Sequence, residues 1–167
     1  MGSGLNAERV RQLAGNRFLL FWYMLFRMPL GAFAGLRCER IDDDICEVSL
    51  PGGWRTRNPF RSTYWAAQGM AAELATAIIP LSQAKGADVA IRTLVTGCRA
   101  SFRRQGRGRL IFRCEDFAAM KAGMNRAAVG TEGVECSSRV IGFDQDGEVV
   151  SEWIFDWNFK AKSVAAT

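Results

Sequence analysis

NPFRSTYWAAQGMAAELATAIIP, residues 58–80, opens on a helix signal and then runs almost without charge. Asn at an N-cap followed by Pro at the first helical position predicts a helix from Pro59 to about Ile79, stopped by Pro80. Between Ser62 and Ala84 the single charged residue is Glu73. Phe60, Tyr64, Ala67, Ala71, Leu74 and Ile78 form one stripe at helical spacing, and the other side carries Trp65, Gly69, Ala72 and Thr76. A helix with no polar face is expected to be surrounded by protein.

Around this helix the chain alternates at the period of strands. Two short strands precede it, Leu36–Ile41 and Ile45–Leu50, joined at an Asp42-Asp43-Asp44 turn. Four segments follow: 89–104 with a bulge at Gly97, 109–117, 132–143 and 148–160. A short helix over 118–128 sits among them, and the last strand is the clearest, with Val149, Ser151, Trp153, Phe155, Trp157 and Phe159 on one face. Antiparallel strands with one long apolar helix on a single face make an α+β layer, a curved sheet wrapped around that helix. Three regions follow: an N-terminal helix and tail over 1–29, a domain over 30–160, and a tail over 161–167.

The N-terminal helix, read over Leu5–Met28, is polar in its first half and apolar nearly all round from Phe18 to Phe26. Nine residues bracketed by Arg17 and Arg27 cannot span a bilayer, which needs about 20. The plain reading is a helix covered by the domain or a partner subunit; the sharper one is an interfacial helix on a membrane.

Composition narrows the chemistry. The 167 residues are 49% apolar and 23% charged, enough for one sizeable core. There is no histidine, which removes Ser-His-Asp and Cys-His nucleophile systems and His-based zinc sites. The net charge of +5 admits an anionic ligand, and no nucleic-acid-binding signature accompanies it. The five cysteines, at 38, 46, 98, 114 and 136, show no metal-knuckle spacing, so no metal is expected. An odd count without a signal peptide fits a reducing, cytoplasmic setting and small core thiols.

The 58–73 segment resembles the central-helix motif of hotdog-fold acyl-CoA thioesterases of the phenylacetate-pathway type. That motif runs Asn-Pro-x-Gly-x-x-His-Gly-Gly, with a carboxylate fifteen residues after the Asn. Asn58, Pro59 and Glu73 match it at that spacing, while Arg61 stands for the Gly, Tyr64 for the His, and Trp65-Ala66 for the Gly-Gly pair. The pattern is similar to a divergent branch of thioesterase-like hotdog proteins, and the element order extends the likeness over about residues 30–160. The resemblance implies hydrolysis of an acyl-CoA thioester, no cofactor beyond the coenzyme A of the substrate, and a homodimer, with pairing into tetramers left open. It also implies that each site takes its carboxylate from the other subunit. Glu73 would be the base or nucleophile, Asn58 and Tyr64 would orient, and backbone amides near Tyr64 and Trp65 would bind the thioester carbonyl.

Each role has a plainer counterpart. Glu73 is either paired with Arg92, Arg99 or Arg139, or is a base with a raised pKa in an apolar pocket. Asn58 is a helix cap or an orienter, and Tyr64 a core aromatic or a donor. Trp65 and Arg61 border the substrate site, and the bulk of Trp65 fills the acyl pocket in the alternative reading of a catalytically silent acyl-binding module. Five arginines between 99 and 109, with Arg103, Arg104 and Arg107 around a Gln105-Gly106 tip, are read as a hairpin. They make either a clamp for coenzyme A phosphates or a solvated sheet edge.

Overall fold

The computed structural model describes residues 7–84 and 90–162. The readings that begin at Leu5 or 89, or that concern 163–167, lie outside the described residues at those ends. Six strands form one antiparallel sheet in the order β1-β2-β4-β5-β6-β3. They are β1 (Arg37–Ile41), β2 (Cys46–Leu50), β3 (Ile91–Phe102), β4 (Leu110–Cys114), β5 (Val134–Phe143) and β6 (Val149–Ala161). The long helix α4 (Trp65–Ala84) lies across the concave face, and α5 (Phe117–Val129) covers β5 and β6 beside it. This is the hotdog arrangement.

The reason is visible in the burial of the two partners. Ala71, Ala72, Ala75, Thr76 and Ile79 of α4 have no accessible surface, and Trp153, Phe155, Trp157 and Phe159 of β6 are buried beneath the helices. A side chain added at Gly69 would come within 3.3 Å of the Trp153 ring, so the helix backbone sits directly on the sheet. β6 pairs with β5 from Val134↔Phe159 to Phe143↔Val149, as its alternation predicts. The bulge expected at Gly97 is present, with the register shifting between Val95 and Gly97. The Asp42 carboxylate holds the β1–β2 turn by accepting from the Asp44 and Ile45 amides.

Several expectations are corrected. The N-terminal segment is three helices, α1 (Ala7–Gly15), α2 (Arg17–Arg27) and α3 (Pro29–Ala34). Asn16 breaks the first pair because its side chain caps α2, accepting from the Phe18 and Leu19 amides at 3.0 and 3.1 Å. The apolar half is also not covered in this chain: Phe18 and Phe26 are 69% and 77% exposed.

The central helix starts at Trp65, not Pro59, and passes through Pro80 to Ala84. Asn58 caps a tight turn instead, its Oδ1 accepting from the Phe60 and Ser62 amides, with Arg61 in the left-handed region at φ 62°. Asn-Pro suits a turn as well as a helix start, and the anchoring of Tyr64 N–H to the Thr56 carbonyl decides for the turn. At Pro80 the helix loses one N–H, and burial of Ile78, Ile79 and Pro80 holds it through.

The α4 helix is not enclosed on every side. Ala66, Met70, Glu73 and Ala77 form a half-buried stripe, while Phe60, Tyr64 and Trp65 are exposed. Finally, residues 103–109 are no hairpin. β3 pairs with β6, and β4 with β2 and β5, so this segment crosses the sheet from one edge to its interior.

Replacing Ile79 by Ala is expected to destabilise the protein by about 2–5 kcal/mol, the usual cost of a cavity in a core. Leu94, 58% exposed on β3, is expected to tolerate Ala within about 0.5 kcal/mol. Denaturant unfolding of the two variants checks the contrast.

Candidate functional site

The turn at Asn58, the N-terminal end of α4 and the β3–β4 crossover meet in an open cleft of about 490 Å³. Its walls include Asn58, Ser62, Trp65, Gln68, Phe102 and the Arg103–Gly106 run. Backbone bonding joins these parts: Thr63 N–H donates to the Gly106 carbonyl at 2.8 Å, and Tyr64 N–H to the Thr56 carbonyl at 2.7 Å. The first bond inside α4 runs from Gln68 N–H to the Tyr64 carbonyl, which leaves the amides of Trp65, Ala66 and Ala67 as a first turn without an acceptor among the described residues. They form a partial positive end beside the cleft.

Asn58, Trp65, Arg103 and Arg104 are therefore brought together. Asn58 directs its side chain into its own turn, with Nδ2 3.0 Å from Ser62 Oγ. Arg103 and Arg104 reach the cleft but are already neutralised, Arg103 by Glu152 at 2.9 Å and Arg104 by Asp144 and Glu148 at 3.6 and 3.8 Å. Arg61, Tyr64 and Arg107 do not line it. Tyr64 stands against Trp65 with ring centroids 5.9 Å apart, and its amide is occupied by Thr56, so of the two residues expected to bind a carbonyl only Trp65 has a free N–H.

Gln68 was not legible as a site residue. It is 3% exposed, its Nε2 donates to the Thr63 carbonyl at 3.2 Å, and its Oε1 accepts from Ser151 Oγ at 3.0 Å. Ser151 Oγ in turn accepts from the Trp153 indole at 2.9 Å. This chain fixes the helix start to β6 and holds one amide at the cleft wall. An isolated amide in an apolar helix was the available signal.

Glu73 stands elsewhere. It lies eight residues along α4 from Trp65, about 12 Å at 1.5 Å per residue. It is the one charged group on an apolar groove of about 300 Å³ formed by Met28, Pro29, Leu30, Leu36 and Met70. Among the described residues no arginine pairs with it: Arg99 is held by Asp156 and Arg139 by Glu152. Burial alone pushes its carboxyl above the usual range. Cys98 on β3 is close enough to feel its charge. Among the described residues no group of side chains could hold a metal ion, and all five cysteines are free thiols.

A carboxyl whose folded pKa is raised binds its proton more tightly in the folded state. Its stabilising contribution is present below the unfolded value and lost as pH rises through the folded one. Glu73→Gln is therefore expected to melt above the parent at neutral pH, with the difference closing below the ordinary carboxylate range. Melting curves across pH check this; a lower melting temperature at neutral pH would reveal a cationic partner.

The family described as a domain of unknown function, DUF4442, matches residues 16–158. No curated protein matches the chain. Among solved structures, the Pseudomonas aeruginosa protein PA5026 superposes at a TM-score of 0.72 with 20% identity, covering 96% of this chain and 100% of its own. The Haemophilus influenzae thioesterase HI1161 gives 0.62 and 13%, covering 97% and 95%. The E. coli PaaI protein of the phenylacetic acid degradation operon gives 0.58 and 14%, covering 84% and 96%. At such identities these likenesses establish the fold.

Proposed function

The chain belongs to the DUF4442 family and carries the hotdog fold, and on that premise we propose that it hydrolyses an acyl-CoA thioester at a site shared by two subunits of a homodimer. The observation that carries the reading is Glu73: a carboxyl without a cationic partner among the described residues, raised in pKa by burial, on an apolar groove. A base poised nearer neutrality is what activation of water requires.

The half-buried stripe of Ala66, Met70, Glu73 and Ala77 supports the dimer. Two copies of α4 packed antiparallel and crossing near Met70 would set Glu73 of each opposite the first turn of the other. The β3 edge offers a second line of union, since Cys98, Ala100 and Phe102 are exposed there on the face turned toward the helices.

In this site Glu73 takes a proton from water as the hydroxyl adds to the thioester carbonyl. The oxyanion forms against the Trp65 amide at the positive end of α4. Collapse breaks the carbon–sulfur bond, and the proton returns to the departing thiolate. The products are a carboxylic acid and coenzyme A. Direct attack by the carboxylate, through an anhydride that water opens, uses the same group. Asn58 shapes the turn that presents the helix start, Gln68 fixes it to the sheet, and Tyr64 buttresses Trp65. Arg61 and Arg107 on the loops outside carry positive charge toward coenzyme A phosphates, and Arg103 and Arg104 join them by exchanging their carboxylate partners for phosphate. The free thiols suit a reducing cytoplasm.

One observation favours a second reading. Trp65 is 57% exposed within the cleft where the family resemblance expects glycine, and a ring there can occupy the space of an acyl group. That protein would bind acyl-CoA without cleaving it.

Glu73→Gln is expected to lower turnover of acyl-CoA by about 10²-fold or more, the usual worth of a general base, with its oligomeric state unchanged. Thiol release, measured across acyl chain lengths, tests this. Turnover equal to the parent's would remove Glu73 from the mechanism, and binding without turnover in the parent would favour the silent module.

A further inference from the structure

The α2 helix is built inside out. Leu20 and Met24 are buried, while Phe18, Leu19, Phe21, Trp22, Leu25 and Phe26 are exposed. Along the outer side Phe18 meets Trp22 edge-on and Trp22 stacks on Phe26, each at a centroid spacing of 6.1 Å. The surface continues onto α3 and the following loops, where Leu30 is 71% exposed and the Phe33 ring meets Trp54 edge-on at 5.8 Å. Single exposed apolar residues need no explanation, but a contiguous aromatic surface does.

Its charge is one-sided. Residues 10–38 hold Arg11, Arg17, Arg27 and Arg37, and residues 50–72 hold Arg55, Arg57 and Arg61, without one Asp or Glu in either stretch. Arg17, Arg37 and Arg55 line a groove of about 390 Å³ beside Phe18 and Phe21. Across the sheet the pattern differs: Arg99, Arg103, Arg109, Arg113 and Arg139 each lie within 3 Å of a carboxylate. Among the described residues Arg17, Arg27 and Arg55 form no such pair. Arg37 stands near the Glu39 carboxylate.

We propose that α2, α3 and the Trp54 turn dock the protein on an anionic phospholipid bilayer, the aromatic side chains entering the headgroup boundary and the arginine groove taking lipid phosphate. The chemistry fits that occupant. Aromatic and leucine side chains flanked by arginine, on a helix too short to span, describe an interfacial element, and no helix among the described residues is long and apolar enough to cross a membrane. Cations near an anionic leaflet add to the attraction, an effect that salt screens. The position fits as well. The α2 helix packs against β1, at the opposite edge of the sheet from β3, so a dimer joined along β3 leaves it uncovered. Leu30 belongs to this surface and also to the lip of the Glu73 groove, which places that groove next to the bilayer.

The proposal stands apart from the thioester reading, because vesicle binding needs no substrate. Flotation of the full chain is measured with vesicles of pure phosphatidylcholine and of an equimolar mixture with phosphatidylglycerol. Binding to the mixture is expected, weakened by salt. Phe18→Ser with Phe26→Ser, and separately Arg17→Glu with Arg55→Glu, are expected to weaken it at least about tenfold with melting temperatures held, since all four side chains are exposed. No flotation of the parent, equal binding to the uncharged vesicles, or binding untouched by both double variants overturns the proposal. So does a fall in molar mass of the aromatic variant by light scattering without any vesicle binding, which would assign the surface to a second copy of this chain.

Discussion

Nearly everything in this molecule answers to one constraint: a twenty-residue helix with a single charged side chain must be kept from water. The alanines at 71, 72 and 75 and the glycine at 69 bring the α4 backbone down onto Trp153 rather than holding it off with long side chains. Close approach requires a sheet that curls, and the bulge before Gly97 lets β3 follow the bend of β6. The Gln68–Ser151–Trp153 hydrogen bonds then lock helix to sheet where the helix begins. A buried amide of this kind is stabilising only because its partners are in place.

The constraint is met on three sides of α4 and left open on the fourth. That open stripe bears Glu73, and the same fold feature therefore sets both the assembly we propose and the chemistry we assign to it. A carboxylate on a surface that a second copy covers loses its water, which is costly unless it is paired or hydrogen-bonded across the interface. The free first-turn amides and Glu73 are about 12 Å apart along one helix, too far for one thioester carbon, and a second helix lying antiparallel closes that distance.

Much of this was legible in the residues. The alternation of β6, the glycine bulge and the isolation of Glu73 are local signals whose physical causes do not depend on the rest of the chain. What was not legible depends on tertiary choice. Asn58-Pro59 satisfies a turn and a helix start equally, and the bond from Tyr64 N–H to Thr56 selects the turn. Alternation in 89–104 and 109–117 marks strands without naming their neighbours, so the crossover between them read as a hairpin. The apolar Phe18–Phe26 run promised burial, yet hydrophobicity states only that water is disfavoured, not which surface replaces it. Gln68 was hidden for the opposite reason, since a neutral amide draws less notice than a charge.

The central claim, that Glu73 of one subunit serves the cleft of the other, is tested most directly by subunit complementation. Glu73→Gln and Asn58→Ala chains, each expected to lose most of its turnover alone, are mixed and allowed to exchange. A shared site puts one intact Glu73 with one intact cleft in every hybrid dimer, so thioester turnover should return to about a quarter of the parent level at equal mixing. Exchange to hybrids with no recovery of turnover would place both groups in a site within one subunit and contradict the account.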